Sequence, residues 1–265
     1  MDPPAALSST PLLGALLLAA VHMATPALRF LHGTPRSTWL SLAGGVSVAY
    51  VFVHLLPELA EGQRAVAEAM GAGERAAEAG GRHVWLIALA GLLAFYGLDK
   101  VALRSRGHRA EGEAADGGGS ADGEADETAE APPGIFWVHM ASFGVYNVLV
   151  GYLLVRGERE TAATLVLFAV AMALHFVVTD FGLVEHHRQR YVGVGRWLLV
   201  AALTVGVGAG YAVGLSEAAV AALVAFLAGG VMLNVLKEEV PSERQSRFWA
   251  FAGGMAGYAV LLLAL

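Results

Sequence analysis

The residues of this chain that can do chemistry sit inside or at the ends of long apolar runs, where they are most costly to keep. In Phe52-Val53-His54-Leu55-Leu56-Pro57-Glu58, His54 and Glu58 are four residues apart and share one face of a helix. That spacing lets an imidazole and a carboxylate share a metal ion or a proton. Pro57 removes a backbone hydrogen bond and kinks such a helix beside them. Asn147 lies deep in a later run, between Tyr146 and Gly151, where a carboxamide bridges helices or lines a pathway. The next run carries His175, Thr179 and Asp180, followed by Glu185, His186 and His187. His175 and Thr179 share a face, but Asp180 is about 140° round from His175 on an ideal helix. Those two close on one ion only with a neighbouring helix or a distortion. His186 and His187, beside Arg188 and Arg190, read as a solvated boundary. Asn234 and Glu238, again four apart, end a further run next to Lys237, either as an amphipathic helix end or as a gate. Ionisable groups within spans are functional candidates by default. Imidazole and carboxylate ligands suit zinc, iron or manganese. The absence of cysteine excludes disulfides, thiolate metal sites and a cysteine nucleophile.

The elements that must position these groups are membrane helices. Of the 265 residues, 56% are hydrophobic and only 15% charged, too few charges to cover a water-soluble surface. Eight stretches approach the roughly 20 apolar residues that cross a bilayer as a helix: 10–30, 38–59, 83–103, 134–155, 161–182, 195–214, 216–236 and 246–265. Runs so long and uniformly apolar exclude barrel strands, and lipid demands internally bonded backbone. The expected class is all-α, a polytopic membrane protein with eight spans. Before its first run the chain reads MDPPAALSST, with no Lys or Arg, so that run is expected to be a retained helix rather than a signal peptide. With the N-terminus outside, 12 Lys and Arg fall on the cytoplasmic side and 5 outside. The positive-inside rule therefore places both termini on the non-cytoplasmic side of a cytoplasmic or plasma membrane.

One membrane domain is expected, in two parts: 1–103 with three helices and 134–265 with five. Between them, 104–133 opens basic and becomes an Asp/Glu/Gly/Ala run, expected to be a disordered cytoplasmic loop. Eight of the 23 acids lie between Glu111 and Glu130, so the net charge of −6 belongs largely to this loop. No basic patch with interleaved aromatics points to nucleic acid. The lipid bilayer and a divalent metal ion are the expected partners, and self-association to a homo-oligomer is left open. Gly206, Gly210 and Gly214 on the sixth helix, and Gly253 and Gly257 on the eighth, are spaced for close helix contact.

In this order and on these helices, the clusters resemble the ZIP-type metal-ion transporter family. HLLPEL in the second helix and AGGVMLNVLKEEVPSE in the seventh are similar to family patterns. The resemblance covers nearly the whole layout: eight spans, both termini outside and a long loop after the third. It implies a ZIP-like bundle, with spans 1–3 and 6–8 as inverted three-helix repeats of the kind secondary transporters use. Family ligands map onto Asn147 in the fourth helix, and onto His175 and Asp180 in the fifth. Tyr146 and Val150 stand where the fourth-helix pattern has His and Asp. Phe176, Val178 and Thr179 stand where the fifth has Glu, Pro and His.

The expected function is divalent metal-ion transport by alternating access, without catalysis. Asn147, His175 and Asp180 form the expected metal site, and His54, Glu58, Asn234 and Glu238 a second site or relay. No resident cofactor is expected; zinc, iron or manganese is the cargo. Two other readings are a ZIP-fold protein that senses or binds a partner without transporting, and an intramembrane metal-dependent hydrolase.

Overall fold

A computed structural model describes residues 9–28, 31, 37–69, 82–97, 100, 133–156, 161–239 and 247–264, without the side chains of 133–135, His186, Glu238 and Glu239. The acidic segment 104–132 lies outside the described residues, and so does its expected disorder.

The described residues are all-helical. The helices are α1 (Ser9–Ala24), α2 (Thr38–Ala69), α3 (His83–Gly97), α4 (Pro133–Arg156), α5 (Ala162–Arg190), α6 (Arg196–Ala212), α7 (Glu217–Asn234) and α8 (Phe248–Leu263). Six stretches are long and apolar enough to cross a membrane: those of α1, α2, α4, α5, α6 and α7; α3 and α8 are apolar but shorter. Large apolar side chains face outward along them, among them Leu13, Leu16, Leu89, Leu93, Val205 and Leu261. Water would penalise so much exposed apolar surface, whereas lipid does not. The chain is an integral membrane protein.

Local sequence sets the helix ends. Thr161 caps α5 in a reciprocal box with Thr164, and Ser216 caps α7 by accepting from the Ala219 N–H. Helix α2 is interrupted by one wide turn, Val51–Leu55, where the Leu56 N–H bonds to the Val51 carbonyl five residues back. Pro57 explains it. Its ring would meet the Val53 carbonyl in a regular helix, and the extra residue in the turn relieves that. A second wide turn, Val235–Glu239, extends α7, and a third, Tyr191–Gly195, joins α5 to α6.

Glycines set which helices touch. Gly151 and Gly206 bring α4 and α6 into backbone contact, and Gly210 abuts Val155. At the far end of this pair Arg156 Nε donates to the Gly210 carbonyl at 2.6 Å. Gly45 lies on the α8 backbone at Phe251, and Gly254 on the α2 backbone at Leu42. Gly91 and Gly229 do the same for α3 and α7, at Phe226 and Ala88. Helix α1 packs on α5 and α4, with Gly14 against Ala169 and Leu154. The expected face of α8 is displaced by one residue: a Cβ on Gly253 or Gly257 would meet nothing within 4 Å, and Gly254 makes the contact. Gly214 lies past the end of α6, where only the Arg156 guanidinium is near. The main core runs between helices from both halves of the chain, through Leu18, Tyr50, Leu59, Tyr146, Phe168, Met172, Leu203 and Leu227.

Candidate functional site

Near the centre of this bundle three polar side chains from three helices meet. His22 on α1 lies between Asp180 on α5 and Asn147 on α4. Its Nδ1 is 2.7 Å from Asp180 Oδ2, and its Nε2 is 2.8 Å from Asn147 Oδ1. All three residues are 1% exposed. Asn147 is oriented by its own helix, because its Nδ2 donates to the Phe143 carbonyl at 2.8 Å. Its oxygen therefore faces His22, and His22 Nε2 must be the donor.

One further proton lies between Nδ1 and Oδ2. The pair is then either an imidazolium with a carboxylate or an imidazole with a carboxylic acid. Both forms are neutral overall, as a low-dielectric interior requires. The 2.7 Å distance is that of a charge-assisted bond. The Phe176 ring stacks on the imidazole with centroids 4.7 Å apart, and the Tyr191 hydroxyl donates to the His22 carbonyl at 3.5 Å. Tyr191 also interacts with Asp180, closing the cluster on the side of the α5–α6 turn.

Two of the three residues expected to hold metal, Asn147 and Asp180, thus converge, with His22 between them. His175 is equally buried but on the other side of α5. Its ring lies 5.6 Å from that of Tyr146 and 6.2 Å from that of Phe176. This follows from the 140° between His175 and Asp180. Thr179, on the His175 face, donates to the His175 carbonyl at 2.6 Å. Tyr146, in a position where the resembled family has histidine, points its hydroxyl at the Met172 sulfur, 3.6 Å away.

His54 and Glu58 approach to 3.8 Å across the wide turn of α2 and are partly exposed, at 31% and 23% for their side chains. Glu58 also borders an apolar cleft among Tyr50, Leu55, Leu153, Phe168, Met172 and Leu227. Asn234 is the last residue of α7 before its wide turn, and Glu238 lies within that turn. His187, expected at a solvated boundary, is instead fully buried at a break in the helix (φ −145°, ψ 38°). Helix α4 covers that residue, with the rings of Phe136 and His139 lying 5.5 and 5.6 Å from its own.

The reading of the sequence does not single out His22. Its signal is nevertheless the one used for the other sites, a lone imidazole inside an apolar span. Among the described residues no group of three or more His, Cys, Asp or Glu gathers around one point. The site has one imidazole, one carboxylate and one carboxamide, which can hold a proton between two of its members or present three donors to a cation. No protein-family model matches this chain, and no curated protein is significantly similar to it.

Proposed function

We propose that the chain is a ZIP-like membrane carrier of a divalent cation, working by alternating access with His22, Asn147 and Asp180 at its transport site. The observation that carries this reading is the meeting of the three side chains, each 1% exposed, from α1, α4 and α5. An apolar bundle needs no such cluster for packing, and an interhelical hydrogen bond in a membrane stabilises by only about 0.6 kcal/mol on average.

The helix contacts support both the inverted repeat and the eight-span layout. A shift of 184 residues carries Leu42 and Gly45 of α2 to Phe226 and Gly229 of α7. The same shift carries the turn Val51–Leu55 to Val235–Glu239, and Pro57 to Pro241. A shift of 163 carries Ala88 and Gly91 of α3 to Phe251 and Gly254 of α8. The contact of α2 with α8 is thus repeated, residue for residue, in that of α7 with α3. The glycine contacts also divide the helices into two groups: α1, α4, α5 and α6 in one, and α2, α3, α7 and α8 in the other. The proposed site lies wholly in the first group, so sliding that group against the second would carry the ion from one side to the other.

Loading requires the cation to displace the proton between His22 and Asp180 and the Nε2–H bond to Asn147 to open, because each of these atoms now faces another. Imidazole, carboxylate and carboxamide favour zinc, iron(II) or manganese(II), with remaining positions taken by water. The test is uptake of these ions into proteoliposomes. Wild type should exceed protein-free vesicles, and Asp180→Asn and His22→Ala should each lose at least tenfold. No uptake of any of the three ions would sink the reading. The engagement of both His22 nitrogens favours a second reading, a non-transporting bundle pinned by this cluster. It predicts loss of stability in the same variants from a wild type that moves no ion.

A further inference from the structure

His139 on α4 and His187 on α5 meet edge to face, their ring centroids 5.6 Å apart and their planes at 71°. His187 is wholly buried, and His139 is partly so. The pair lies along the same two helices as the central cluster. His187 is seven residues beyond Asp180, and His139 is eight before Asn147. At about 1.5 Å of rise per residue, each is two turns, some 10–12 Å, from the site. Because α4 and α5 run in opposite directions, both offsets point to the same end of the bundle.

We infer that His139 and His187 form a second divalent-cation station, a two-imidazole site at the end of the α4–α5 seam. The spacing fits. An imidazole nitrogen binds zinc at about 2.0–2.1 Å. Two imidazole centroids on one ion then stand about 5 Å apart at the tetrahedral angle and about 6.5 Å apart when opposed. The observed 5.6 Å lies between these limits. The backbone supplies the freedom that the geometry needs. His187 is the residue at which α5 leaves helical φ and ψ, so its ring is not bound to a regular helix direction. Phe136, one turn from His139 on α4, also packs on His187, its ring 5.5 Å away.

Among the described residues no third His, Cys, Asp or Glu joins the pair. The other coordination positions therefore fall to water, and affinity stays modest. A station on a pathway needs that property, since an ion must bind well enough to arrive and weakly enough to leave. The station rests on the carrier reading for its purpose, but not for its chemistry.

The test uses the full chain in phosphatidylcholine nanodiscs, with Zn2+ titrated for affinity and one equivalent of Cu2+ as a paramagnetic probe. Wild type should show nitrogen coupling from two imidazoles. His139→Gln and His187→Gln should each reduce it to one and weaken one Zn2+ site at least tenfold, while Asp180→Asn leaves that site in place. His139, being less buried, supplies a variant that folds even if His187→Gln does not. Unchanged Zn2+ affinity and an unchanged two-nitrogen pattern in both Gln variants would overturn the station. So would a loss of thermal stability with metal affinity intact, which marks a packing role. Pair-dependent binding without ion uptake by wild type would uphold the station and reject the carrier.

Discussion

Asp180 depends on a residue that lies 158 positions earlier in the chain, and that dependence decides what its variants do. His22→Ala removes the imidazole held 2.7 Å from a carboxylate that is 2% exposed, leaving a charge or an acid hydroxyl buried with Tyr191 beside it. Breaking a buried pair from one side costs about 3–5 kcal/mol in soluble proteins. An average interhelical hydrogen bond in a membrane is worth only about 0.6 kcal/mol, so the expected loss here lies between the two figures. His22→Ala should lower the thermal unfolding midpoint in detergent clearly, and His22→Ala with Asp180→Leu should recover part of the loss, since only the Asn147 oxygen then lacks its former donor. A double variant no more stable than His22→Ala would mean that Asp180 finds another partner. Sequence made Asn147 and Asp180 legible because a carboxamide and a carboxylate inside apolar runs are conspicuous. It could not pair them with His22, because the bonds span 125 and 158 residues and leave no local spacing to read. Family resemblance also drew attention to His175, whose 140° offset from Asp180 already argued against a shared ion without outside help.

The helices themselves were legible from apolar run length, and Pro57 marked a disturbance of α2, expected as a kink and found as a wide turn. Which small residue makes each contact was less so. Four-residue spacing marked Gly253 and Gly257 on α8, yet Gly254 meets α2, because spacing identifies stripes and only the partner's position selects among them. The difference is testable by adding one methyl group. A Cβ on Gly45 or Gly254 would collide with the backbone of Phe251 or Leu42, which cannot move without separating α2 from α8. Overpacking of this kind costs about 1–3 kcal/mol. Gly45→Ala and Gly254→Ala should therefore lower stability, whereas Gly253→Ala, with nothing within 4 Å of its added Cβ, should leave it within about 0.5 kcal/mol of wild type. The repeat offset extends the expectation to Gly229→Ala, whose methyl would strike Ala88 as that of Gly45→Ala strikes Phe251. Equal midpoints for Gly253→Ala and Gly254→Ala would reject this assignment of the interface.

At the scale of the molecule, alternating access requires that one group of helices move while another stays, and on the proposed carrier reading the close glycine contacts within each group would hold it together as one body. Between the groups no glycine brings two backbones together among the described residues, and side chains make the contact. Tyr50 of α2 meets Phe168 of α5 ring to ring, with centroids 6.0 Å apart. Within the second group, Phe95 of α3 meets Phe226 of α7 in a similar way at 5.8 Å. The chain has no native cysteine, so either pair can be replaced by cysteines and bridged without background. A short bifunctional thiol reagent across Tyr50→Cys/Phe168→Cys ties the two groups together. The same reagent across Phe95→Cys/Phe226→Cys ties two helices of one group. If transport is a sliding of one group against the other, bridging the first pair should cut ion uptake at least tenfold relative to the same variant left unbridged. Bridging the second should change uptake less than twofold. Referring each bridged protein to its own unbridged form removes the effect of losing the rings. Equal inhibition by both bridges would mean that the helices do not move as these two groups, and full uptake with the first bridge in place would mean that no sliding at this interface accompanies transport.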